Sequence, residues 1–117
     1  MKIRALMSSL TLVLSAVLLA GCNSEESAKE AALSPELEKG KMIVEGRCFA
    51  CHGQGINGAP IIGNKKMWGK RVAQGTDVLI QHAINGYELM PAKGGFTELS
   101  DEEIGFAVRY MVSQVQE

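Results

Sequence analysis

The chain is short of the residues that usually build or lock a small domain. Its 117 residues include six aromatics (Phe49, Trp68, Tyr87, Phe96, Phe106 and Tyr110), three prolines and three cysteines. So few rings leave a thin core, and a domain of this size then needs a staple such as a metal, a set of disulfides or a cofactor. An odd number of cysteines, one of them at position 22, argues against a disulfide framework. No stretch alternates apolar and polar residues over a useful length, so a sheet-based fold is excluded in favour of an all-α one. No internal repeat is present. With 12 basic and 13 acidic residues the chain has no positive excess, which gives no support for nucleic-acid binding.

What is present begins with a leader. Lys2 and Arg4 precede a largely apolar run from Leu6 to Ala20, followed by Gly21 and Cys22, the layout of an export signal. The run covers 15 residues, whereas a helix that crosses a bilayer needs about 20. Leu19-Ala20-Gly21-Cys22 resembles the lipobox of bacterial lipoproteins, which implies removal of residues 1 to 21 and acylation of Cys22. An ordinary export signal with a chance cysteine near its end is the alternative. Residues 22 to 33 are polar, small and acidic, and read as a lipidated tether spanning roughly 20 Å if it is a flexible coil. Loss of Lys2 and Arg4 with the leader takes the formal charge from −1 to −3. The remaining 84 residues, 34 to 117, are enough for one domain.

The punctuation of that domain is helical. Ser34-Pro35 supplies an N-cap and a first-turn proline, and Leu37, Lys41, Val44 and Cys48 come after it at intervals of three and four. Asn64 is placed to cap a helix over residues 65 to 74, and Thr76 one over 77 to 85 that Gly86 stops. Ser100-Asp101-Glu102-Glu103 is a capping box. In the helix it opens, Ile104, Ala107, Val108, Met111 and Val115 form one apolar stripe.

The chemistry is concentrated in Arg47-Cys48-Phe49-Ala50-Cys51-His52. Cys-x-x-Cys-His is the attachment signature of c-type haem. On a helical turn, the i, i+3 spacing puts both sulfurs on one side, where they can add to the two vinyl groups as thioethers, and the next residue offers its imidazole to the iron. A zinc site would want a fourth protein ligand, and His82, the only other histidine, has no Cys or His nearby in sequence. A thioredoxin-like pair expects a βαβ surround, which is absent. A structural disulfide does not need His52.

The segment GKMIVEGRCFACHGQGINGAPIIGNKKMWGKR, followed by AINGYELMPAKGG and LSDEEIGFAVRYM, resembles a class I c-type cytochrome, closest to the bacterial cytochrome c-five group, over about residues 36 to 113. The resemblance implies a small helical fold around one covalent haem c, axial ligation by histidine and methionine, and transfer of single electrons. It implies too that the proline of Gly58-Ala59-Pro60 supplies the carbonyl that orients His52, and that Gly40 allows the first and last helices to cross closely against Phe106 or Tyr110. Many relatives close a small loop before the last helix with two cysteines. Residues 96 to 99 hold none, so that loop is expected to be less restrained.

Donors for the second axial position are Met42, Met67, Met90, Met111 and His82. Met90 is favoured, because it precedes Pro91 and a glycine-rich turn, where irregular backbone can present a thioether. Met67 and His82 remain as alternatives, histidine being a common haem ligand. With both axial positions filled by protein atoms the expected function is electron carriage without catalysis, and the competing reading is an open iron site for small ligands or peroxidatic chemistry. Expected partners are redox proteins of the cytochrome reductase, oxidase or terminal reductase class, met on the periplasmic side of an inner or outer membrane. Lys65, Lys66, Lys70, Arg71 and Lys93 offer either a solvated face or a docking rim, and the acids from Glu98 to Glu103 suit a helix N-terminus.

Overall fold

A computed structural model of the chain describes residues 33 to 116. The leader, Cys22 and the tether up to residue 32 lie outside the described residues. Within them the order is α1 (Pro35–Ile43), a π-helical turn (Val44–Cys48), α2 (Phe49–His52), a 3-10 turn (Ile56–Gly58), α3 (Lys65–Val72), α4 (Thr76–Asn85), a second 3-10 turn (Ala92–Gly95) and α5 (Asp101–Gln116). There is no strand among the described residues, only a single bridge between Tyr87 and Met90. The class is all-α, as expected.

Three of the four helix starts expected from the sequence are capped as their residues require. The Ser34 hydroxyl accepts from the Leu37 N–H at 3.3 Å, and the Asn64 side-chain Oδ1 from the Met67 N–H at 3.1 Å. At α5 the box is reciprocal: the Ser100 N–H donates to Glu103 Oε2 at 2.8 Å, and the Glu103 N–H to Ser100 Oγ at 3.2 Å. The bond from the Ser100 backbone, then that from its hydroxyl, holds the Glu103 carboxyl below its ordinary pKa. Thr76 departs from expectation. Gly75, at φ +96°, is the cap residue of α4 without any side-chain bond, and Thr76 is already helical. The left-handed turn into α4 is available to glycine, so the cap moves one residue back. The helix opened by Asn64 also ends early, at Val72, because the chain must turn toward Gly75.

The first helix reaches the cysteine motif through a change of pitch. Between Val44 and Cys48 the backbone widens to i→i+5 bonding, the Phe49 N–H reaching the Val44 carbonyl. The widened turn takes up one residue that in a regular helix would rotate everything after it by about 100°. Gly40 and Val44 are buried on the α5 side, Lys41 is exposed, and Cys48 turns toward the interior.

The core joins Val44, Trp68, Leu79, Ile80, Ala83 and the α5 stripe, of which Ile104, Ala107, Val108 and Met111 are buried and Val115 is partly so. The most extensive helix pairing is between α1 and α5. Its closest point is Gly40: a Cβ there would strike the Phe106 carbonyl oxygen and lie 2.8 Å from that carbonyl carbon and 2.9 Å from Tyr110 Cβ. Since two of the three obstacles are helix backbone, no rotamer change can make room. Gly40→Ala should therefore destabilise the holoprotein by roughly 3 kcal/mol or more, toward the upper end for overpacking, read as a lower guanidinium midpoint; an unchanged midpoint would mean that the crossing is not tight.

Candidate functional site: an apolar cleft with one buried imidazole

The inner faces of the helices leave between them a cleft of about 370 Å³. Cys48, Cys51 and His52 line one side, and Leu79, Ala83, Ile104, Ala107, Val108 and Met111 supply apolar wall. Both cysteines are free thiols, Cys48 half-buried and Cys51 exposed. Burial, and secondarily the neighbouring Cys51, pushes the Cys48 thiol up to about 11. A dithiol oxidoreductase needs the opposite, a thiolate stabilised near neutral pH. No group of three or more Cys, His, Asp or Glu side chains that could hold a metal comes together among the described residues, which leaves a zinc centre without its donors.

His52, 8% exposed, is the one buried polar side chain among the described residues. Its position is fixed by the next loop. The Nδ1–H donates to the Pro60 carbonyl at 3.0 Å, and the His52 carbonyl accepts from the Ile62 N–H at 2.9 Å. Between those two residues, the Ile61 carbonyl accepts from Trp68 Nε1 at 2.8 Å. Three successive loop residues are thus bonded, two to His52 and one to a buried indole whose ring centroid lies 6.4 Å from the imidazole. The loop gets there through left-handed backbone at Gly55 (φ +76°), Asn57 (φ +52°) and Gly58 (φ +77°). With Nδ1 committed to a carbonyl, the ring keeps Nε2 as its donor toward a metal, and the bond fixes the ring's orientation.

Met90 also lines the cleft and is partly buried against the core. Its loop is held by a pair of backbone bonds, Tyr87 N–H to the Met90 carbonyl at 3.0 Å and Met90 N–H to the Tyr87 carbonyl at 2.9 Å. Gly86 makes the tight return possible, since a Cβ there would sit 3.0 Å from Ala92 N and 3.1 Å from the Met90 carbonyl oxygen. Of the other donors, Met42 is exposed and neither it nor Met67 lines the cleft. Met111 does so as part of the buried α5 stripe, and His82 does so with its ring stacked on Tyr87 at 4.1 Å. Lys70, Arg71 and Lys93 all line the cleft, Lys93 with its ammonium also bonded to the Leu99 carbonyl and the Asp101 carboxylate.

Two unbridged thiols and an oriented imidazole on one wall, with apolar side chains around them, suit a flat, largely apolar macrocycle joined through sulfur; the volume is in the usual range for ligand sites. These features fit a haem joined through two thioethers. The family model for cytochrome c oxidase, cbb3-type, subunit III, matches residues 35–111. Cytochrome c-555 of Chlorobaculum tepidum is 41% identical over 87 residues, 71% of this chain and 81% of that protein. Cytochrome c5 of Ectopseudomonas mendocina is 39% identical over 71 residues, 59% of this chain and 82% of that protein. Among solved structures, a chain from the electron transfer complex of nitrite reductase with cytochrome c superposes with a TM-score of 0.64 at 31% identity, covering 72% of this chain and 99% of its own. The chain belongs to the class I c-type cytochromes, close to cytochromes c-555 and c5. Membership implies covalent haem c, placed by the motif at Cys48 and Cys51, and the electron-carrying role of those relatives.

The Trp68 bond was not visible in the sequence, where Trp68 is only a large apolar residue beside Met67. Trp68→Phe keeps most of the packing but leaves the Ile61 carbonyl without its donor. It should cost about 1–3 kcal/mol in holoprotein stability, measured by guanidinium unfolding, and Trp68→Tyr should not recover it, since the phenol does not reach where the indole N–H was. Wild-type stability in Trp68→Phe would show that the bond contributes nothing.

Proposed function

We propose that the chain carries single electrons with its haem iron held between His52 and Met90, tethered through acylated Cys22 on the periplasmic side of a bacterial membrane. The observation that carries this reading is that one apolar cleft gathers Cys48, Cys51, His52 and Met90, with the His52 ring already aligned by the Pro60 carbonyl. Bound haem c supplies one-electron redox chemistry. The residues of the chain set its conditions. His52 is held in one tautomer by Pro60, and that hydrogen bond fixes the orientation of its ring. A Met90 thioether favours the reduced state and raises the potential relative to a second imidazole. The apolar walls would limit water around the group, and with His52 and Met90 both holding the iron no position would be left for a substrate.

The partners are redox proteins of the reductase, oxidase or terminal reductase class. Support comes from the structural neighbour, a cytochrome c taken from a complex with nitrite reductase. Leu89, 71% exposed, lies at the cleft mouth with the exposed Ile56 and Tyr87, while Lys70 and Arg71 are also at the cleft. Such a mixed apolar and cationic rim suits brief encounters with an acidic surface, where charge speeds arrival more than it tightens binding.

The ferric holoprotein should show the weak near-infrared band of methionine-to-iron charge transfer. Met90→Ala should abolish that band, open the ferrous protein to carbon monoxide and lower the reduction potential, while Met67→Leu and His82→Gln leave all three unchanged. A high-spin wild-type spectrum would favour the open-iron reading instead. Anchoring is tested separately: wild type should fractionate with membranes and Cys22→Ser should not. Wild type found wholly in the soluble periplasmic fraction would remove the lipid anchor.

A further inference from the structure

Three residues after Met90 the backbone does something lysine does not favour. Lys93 lies in the left-handed region at φ +53°, followed by Gly94 at +64° and Gly95 at +89°. A lysine persists there only if its surroundings hold it. Its ammonium donates to the Leu99 carbonyl at 2.7 Å and meets Asp101 Oδ1 at 2.8 Å, with the Lys93 side chain 21% exposed. The Asp101 carboxylate is largely exposed, and an ion pair of that kind contributes little by itself. The charge-assisted bond to the half-buried carbonyl is the stronger of the two. Leu99 packs against the core and Asp101 is the first residue of α5, so one ammonium ties the segment after Met90 to the start of the last helix.

The intervening loop is held from its other flank too. The Arg47 guanidinium, next to Cys48, stands 5.1 Å from the Phe96 ring centroid and 3.9 Å from Glu98 Oε1. Residues 93 to 101 therefore lie between one cation from the Met90 side and one from the cysteine side. This loop holds no cysteine, and two cations contact it where a covalent bridge is absent.

We propose that Lys93 is a positioning residue for Met90, a clasp that keeps the thioether on the iron by fastening its loop to α5. This rests on the His52 and Met90 ligation proposed above. The clasp acts on ligand release and not on the electron itself, so its signature is a rate of exchange.

Ferric holoprotein is mixed rapidly with increasing imidazole until the rate of ligand replacement saturates, at which point it reports the release of Met90. Lys93→Asn should speed release on the order of tenfold, because it removes the ammonium while asparagine suits the left-handed backbone well. Lys93→Arg, which can still span Leu99 and Asp101, should stay near the wild-type rate, and Asp101→Asn should give a smaller acceleration because the Leu99 bond remains. Release in Lys93→Asn that is equal to or slower than wild type would overturn the clasp, since relief of the strained backbone would then outweigh any lost contact. If wild type shows the near-infrared methionine band but the variants exchange at one rate, the clasp fails and the ligation stands. If wild type lacks the band, the ligation fails and takes the clasp with it.

Discussion

The arrangement of the domain depends on how closely α1 can approach α5. Where Gly40 meets the Phe106 backbone there is no side chain between the two helices, and the pairing they make is the largest in the domain. Each helix carries half of the site away from that point. Downstream of Gly40, α1 runs through the π-helical turn into Cys48, Cys51 and His52; downstream of Phe106, α5 presents Ala107, Val108 and Met111 as cleft wall. A shift at the crossing would change the distance between the motif and the wall. The thin aromatic content is tolerable because the remaining helices face a cleft shaped for a prosthetic group and do not have to fill the centre themselves.

Around the imidazole, rigidity comes from backbone carbonyls in place of side-chain partners. Pro60, Ile61 and Ile62 each make one bond. On the opposite chain segment the Met90 loop is built differently, from a two-bond turn with Tyr87, a glycine at 86 and charged contacts farther along. The imidazole is thus held by neutral hydrogen bonds in buried surroundings, where they are strong. The thioether loop is held in part by exposed charges, which salt weakens.

Much of this was legible in the sequence, and the legible parts are local. Caps at Ser34, Asn64 and Ser100 depend on residues within four positions of each other, and the structure has all three. The cysteine motif and the α5 stripe are likewise short-range patterns. What the sequence did not disclose depends on the path of irregular loops. Trp68 reaches the Ile61 carbonyl seven residues back, and Lys93 the Leu99 carbonyl six residues on, and neither spacing has a helical or strand period that would announce the contact. The displaced cap at Gly75 and the widened turn at Val44–Cys48 escape for another reason: each is a small backbone adjustment that propensities do not distinguish from a regular helix.

That widened turn fixes the kinds of genetic change this region can absorb. Glu45, Gly46 and Arg47 are exposed, and a Cβ at Gly46 would meet nothing within 4 Å, so codon substitutions at 45 and 46 are sterically free. Chain length is a different matter. An in-frame gain of a single codon there is not absorbed, because the turn is already widened to hold one residue beyond α-helical pitch, and it would swing one end against the other by about 100°. Either Gly40 would leave its seat on α5 or the cysteines would leave the cleft. Across descendants of this sequence, the spacing from Gly40 to Cys48 should shorten by one residue more readily than it lengthens.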